Sequence, residues 1–88
     1  MCEKQNIEYK SIWKDEYLKW ICGYANAQGG TLFIGRNDKG KVVGVNDSKK
    51  LLEDIPNKVR DVLGILVDVN LYETDEGGYI EIVVEPYP

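Results

Sequence analysis

Between Tyr17 and Ala25 the apolar positions Tyr17, Trp20, Ile21, Tyr24 and Ala25 recur three or four residues apart, as on one face of a helix. The spacing predicts a helix from about Asp15 to Gln28, with Asp15 as its N-cap or first-turn acid and the five apolar residues as a buried stripe. Asn26 and Gly29 fall where a helix end favours left-handed backbone. The pattern then changes. Thr31–Arg36 is a short run with apolar residues on both faces, a strand covered on at least one side. Asn37-Asp38-Lys39-Gly40 has turn chemistry, and Lys41–Val45 predicts a returning strand with Gly44 at a bulge or close contact.

Beyond Val45 the helical period returns. Leu51, Leu52, Ile55, Val59 and Leu63 share one side, with Asp47 or Ser48 as cap and Gly64 as stop. Pro56 lacks an N–H, so the pattern predicts a short turn followed by a new helix starting near Pro56. Residues 65–73 and 79–86 alternate apolar and polar and predict a second hairpin across residues 74–78. Residues 3–10 predict a short first strand. The order is β-α-β-β-α-β-β, an α+β fold with two helices packed against a mainly antiparallel sheet.

Eighty-eight residues make one small domain with a limited core. No apolar run approaches the roughly 18 residues of a membrane span, and the N-terminus carries no signal-peptide pattern. A cytoplasmic protein is expected, with Cys2 and Cys22 as free thiols. The absence of histidine excludes Ser-His and Cys-His catalysis and any imidazole metal site within the chain. Residues 1–50 carry nine basic and six acidic side chains, a net of +3. Residues 51–88 carry two and nine, a net of −7. A polyanion would therefore be met by the first half.

Two features then point to a family. Asn26 to Gly35 reads Asn-x2-Gly-Gly-Thr-x2-Ile-Gly, and Glu3-x4-Glu8-Tyr9-Lys10 precedes it. Together they resemble the Schlafen-type, AlbA-like nucleic-acid-binding domain. The resemblance covers nearly the whole chain. It implies nucleic-acid binding, DNA more than RNA, by a module of a transcriptional regulator or helicase-related protein. The family domain usually continues past the equivalent of Pro88, so the chain is expected to be the N-terminal piece of a larger protein, a domain cut short at its C-terminus. Lys10, Lys14, Arg36, Lys39 and Lys41 are the expected phosphate contacts. Gly29-Gly30 belongs to turn geometry rather than phosphate binding, because a helix C-terminus disfavours anions.

The same resemblance carries a second reading. In vertebrate Schlafen nucleases two glutamates five apart precede a Phe-Lys pair, and an aspartate follows the Gly-Gly strand. Glu3, Glu8 and Asp38 match these acids. Three such carboxylates would hold Mg²⁺ or Mn²⁺ and make the chain a metal-dependent RNA endonuclease. On a regular strand Glu3 and Glu8 point to opposite faces, so convergence requires a bend near Gln5-Asn6. Binding alone needs no cofactor, and it is the expectation preferred over catalysis. A third reading is a non-catalytic assembly module. An open strand edge favours a homodimer.

Overall fold

The computed structural model describes residues 6–87, so Glu3 and the start of the expected first strand lie outside the described residues. Strand β1 (Asn6–Lys10) leads through a 3-10 turn (Asp15–Tyr17) into helix α1 (Leu18–Ala25) and strand β2 (Gly30–Ile34). Helix α2 (Ser48–Leu63) follows, then strands β3 (Asp68–Thr74) and β4 (Gly77–Val84). The sheet order is β1-β2-β4-β3. The β1–β2 pair is parallel, as the α1 crossover requires, and the other two pairs are antiparallel. The expected α+β class with two helices and a mainly antiparallel sheet is what forms.

Both helices lie on one face of the sheet. Leu32 and Ile34 of β2 meet Ile82 and Ile80 of β4 in register. Against them pack Tyr17, Ile21, Tyr24 and Ala25 from the first helical segment, and Ile55 and Val59 from α2. Trp20, assigned to this stripe from its spacing, is 40% exposed and stays out of the core. The helix expected over residues 15–28 is shorter and splits into the 3-10 turn and α1. Asp15 is not a cap. Its carboxylate accepts the Trp13 Nε1–H at 3.0 Å and pairs with Lys58 of α2 at 2.7 Å.

Helix α2 runs unbroken through Pro56, contrary to the expected restart there. A proline inside a helix costs about 3 kcal/mol. Ile55 and Val59, both wholly buried on either side of it, each contribute about 1.5–3 kcal/mol by their burial. Their combined pull onto the sheet keeps the segment helical. Asp47 occupies the N-cap position with left-handed backbone (φ 57°) and makes no side-chain capping bond. Gly64 ends the helix in left-handed geometry, as its position predicts.

The return strand expected at residues 41–45 does not form. Only Val42 bridges back, to Arg36, and the Gly35 carbonyl accepts the N–H groups of both Val43 and Gly44 at 2.8 and 3.1 Å. Both edges of β2 are already occupied, by β1 and β4, so no ladder is open to a returning strand. Among the described residues no helix is long and apolar enough to cross a membrane.

Candidate nucleic-acid interface

The turn after β2 is pinned by one side chain. Asn37 Oδ1 accepts the N–H groups of Lys39 (2.9 Å) and Lys41 (3.0 Å), while the Asn37 carbonyl accepts the Gly40 N–H at 2.8 Å. This is how asparagine fixes a turn without help from a sheet. Asp38, Lys39 and Lys41 therefore stand exposed on a knuckle whose backbone is ordered before any ligand arrives.

Glu8 and Lys10 sit two apart on β1, on the helix side of the sheet. Lys10 Nζ lies 3.6 Å from a Glu8 carboxylate oxygen, and over the rings of Tyr17 and Trp20 at 5.3 and 5.4 Å from their centroids. Burial pushes the Tyr24 phenol up from its ordinary pKa, and the Glu8 carboxylate adds to the shift. Glu8 and Asp38, with Ile7 and Tyr9, line a cavity of about 400 Å³ beside β1. Glu8 and Asp38 thus border one cavity, while the Glu8 carboxylate pairs with Lys10, and Glu3 lies outside the described residues. Two carboxylates are the donor type a hard divalent cation takes. Among the described residues no three His, Cys, Asp or Glu side chains are grouped to hold a metal ion.

Lys14 is exposed and precedes the 3-10 turn, where its carbonyl accepts the Tyr17 N–H at 3.0 Å. Arg36 is placed differently from the lysines. Its Nε donates to the Gly40 carbonyl at 2.8 Å, and its guanidinium carbon lies 4.9, 4.6 and 5.0 Å from the ring centroids of Tyr9, Phe33 and Tyr79. Those rings form a row that sequence reasoning did not single out. Tyr9 stacks on Phe33 (5.4 Å between centroids), Phe33 meets Tyr79 edge-on (6.0 Å), and Tyr79 stacks on Tyr72 (5.3 Å). The row crosses all four strands on the face away from the helices. Its signal was available: each ring occupies the strand position that alternates with a core residue. The pairing order of the strands was needed to line the rings up.

The two glycines where β2 begins serve packing. Gly29 has φ 84°, and a Cβ there would stand 2.6 Å from the Val84 carbonyl oxygen. Gly30 backs against the Tyr24 ring and the Asn6 carbonyl just as closely. This agrees with the turn reading. Cys22 is a free thiol on α1, and Cys2 lies outside the described residues.

Solved structures share this architecture. The DIP2311 protein from Corynebacterium diphtheriae superposes with a TM-score of 0.74 at 16% identity, over 93% of this chain and 21% of that one. The N-terminal domain of an ATP-dependent DNA helicase RecG-related protein from Nitrosomonas europaea gives a TM-score of 0.73 at 20% identity, over 98% of this chain and 66% of that one. The chain therefore spans about a fifth of the first neighbour and just under two thirds of the second, and at these identities the likeness is one of fold. No curated protein matches the chain. The Schlafen, AlbA_2 family model, in contrast, matches residues 3–88, and with the strand, glycine turn and pinned knuckle all in place the chain belongs to that family.

Proposed function

We propose that this chain binds nucleic acid, DNA in preference to RNA, along the rim formed by the Asn37–Lys41 knuckle and β1, as a module of a transcriptional regulator. The observation that carries the reading is the knuckle itself: two exposed lysines on a backbone that Asn37 has already ordered. Pre-ordered cations lose little entropy when they meet a phosphate. Family membership supports the same reading, and the Nitrosomonas europaea protein, by its name, is related to a DNA helicase. Lys10 and Lys14 extend the cationic rim, while Arg36 braces the turn through Gly40. The test is the salt dependence of binding to a DNA duplex and to an RNA of equal length. Replacing Lys39 and Lys41 together by Ala should lower the slope of log affinity against log salt by roughly two. An unchanged slope would remove the knuckle from the binding surface.

A second reading is favoured by the cavity that Glu8 and Asp38 share. In it these carboxylates would hold Mg²⁺ or Mn²⁺, which supplies an activated water and offsets charge on a phosphodiester. RNA incubated with the protein and either metal distinguishes the two. Cleavage that disappears on Asp38→Ala supports the nuclease, and intact RNA under both metals supports the binding module.

A further inference from the structure

Among the described residues no element covers the sheet face opposite the helices, and that face is rich in apolar and aromatic side chains. Ile7, Tyr9, Thr31, Phe33, Tyr79, Val83 and Tyr72 share it by register. Ile7 is 46% exposed and Tyr72 44%. Gly35 packs closely against Gly78 and Tyr79, and the Arg36 guanidinium lies over the neighbouring rings. Aromatic rings with an arginine are what the cores of protein interfaces are rich in, and a contiguous apolar patch of this kind marks a contact surface.

Two occupants deserve comparison, an unpaired nucleic-acid strand and a second copy of the chain. A strand would need free ring faces. Here the rings turn them largely toward one another and toward Arg36. Charge also opposes it. Glu81 lies between Phe33 and Asn70 in register, and Asp68 beside Val83, so strands β3 and β4 each bring a carboxylate to this face. A polyanion would be repelled there.

The same charges suit self-pairing. The cation sits at the β2 end, and the carboxylates sit on β4 and β3. Sheets stacked face to face keep their strands within about 30°. A two-fold axis along the strands then lays β2 over β4 of the other copy, and β4 over its β2. That operation sets Arg36 beside Glu81 twice, as an isologous contact requires. Both groups have capacity for it. Asn70 and Tyr72 both donate to Glu81 Oε1, which leaves Oε2 for an incoming donor. Arg36 commits Nε to Gly40, which leaves its two Nη groups as a fork.

We propose that the open sheet face is a self-association surface on which two copies pair about a two-fold axis, with Arg36 of each bound to Glu81 of the other. This does not depend on the nucleic-acid reading, whose lysines lie on the rim. Sedimentation equilibrium over a range of concentrations tests it. The unmodified chain should approach twice its 10.0 kDa mass. Arg36→Glu and Glu81→Arg should each weaken association by at least about tenfold, because like charges then face each other. The double exchange should restore it. Far-UV circular dichroism verifies that each variant is folded, and Glu81→Arg alters a side chain outside the core, so it stands if Arg36→Glu misfolds. A monomer at every concentration overturns the proposal. So do single variants that dimerise as tightly as the unmodified chain, or a folded double variant that stays monomeric. A monomeric chain whose affinity for a single-stranded oligonucleotide falls with Arg36→Glu would assign the face to nucleic acid instead.

Discussion

Gly29 and Gly64 have nearly the same backbone, φ 84° and 73°, in very different surroundings. Around Gly64 a Cβ would meet nothing within 4 Å, whereas at Gly29 it would strike the Val84 carbonyl and the Pro86 ring. Ala at Gly64 should therefore cost only the left-handed penalty, about 1–2 kcal/mol. Ala at Gly29 should cost that plus the displacement of β4, for a total of about 3 kcal/mol or more. Urea denaturation of the two variants checks the difference, and equal losses would show that Gly29 is retained for conformation alone. The sequence marks both glycines as chain-turning positions, and both are. What it hides is the neighbour, because Val84 lies more than fifty residues downstream of Gly29. The same limit applied to the carboxylates. Glu8 and Asp38 share a cavity because the turn after β2 returns toward β1, a proximity that spacing along the chain does not encode.

At the scale of elements, most starts and stops were legible, and the errors have definite causes. Trp20 fits the helical period of α1 but lies at the margin of the buried stripe of Ile21, Tyr24 and Ala25, beside Lys10. Pro56 does not break α2, because Ile55 and Val59 pack on the sheet beneath them, which local propensity does not include. The strand at residues 41–45 was lost because strand propensity cannot tell whether a partner edge is vacant. One link between elements is itself testable. The Lys58 ammonium, and after it the Trp13 indole, hold the Asp15 carboxyl below the usual carboxylate range. A depressed carboxyl stabilises the fold above its unfolded pKa, near 4, and that contribution is lost as pH falls through the lower folded value. Asp15→Asn should therefore melt below the unmodified protein at neutral pH, and the gap should close as the solution is acidified past pH 4. A gap that is unchanged at low pH would mean that the contact with α2 does not depend on the charge. The pair is mostly exposed, so the effect is small and weakened by salt.

Across the whole molecule, the asymmetry of charge predicted from the two halves becomes an asymmetry of surfaces. The cationic knuckle lies at the end of β2, and the acidic residues of the second half are spread over α2 and the β3–β4 hairpin. Among the described residues the two-layer build leaves one sheet face without a covering layer, and composition alone gives no sign of it because rings on that face count as apolar content like any core residue. Topology has a further consequence, for the order of assembly. β3 and β4 are joined by a two-residue turn, with the Thr74 hydroxyl bonded to the Gly77 carbonyl across it at 2.8 Å. β2 must find β4 across half the chain, and β1 can dock only on a β2 already in place. Loop-closure entropy is least for the hairpin, so the hairpin is expected to form the nucleus, with β1, which pairs on one side only, outside it. Substitutions in the hairpin, such as Leu71→Ala, should slow refolding, whereas Tyr9→Ala on β1 should leave refolding unchanged and hasten unfolding. Stopped-flow chevrons that showed the reverse would place the nucleus at the parallel pair. β1 is the shorter of the two end strands and is paired on one side only, so its loss is what would bare an edge of β2 to a strand from another chain.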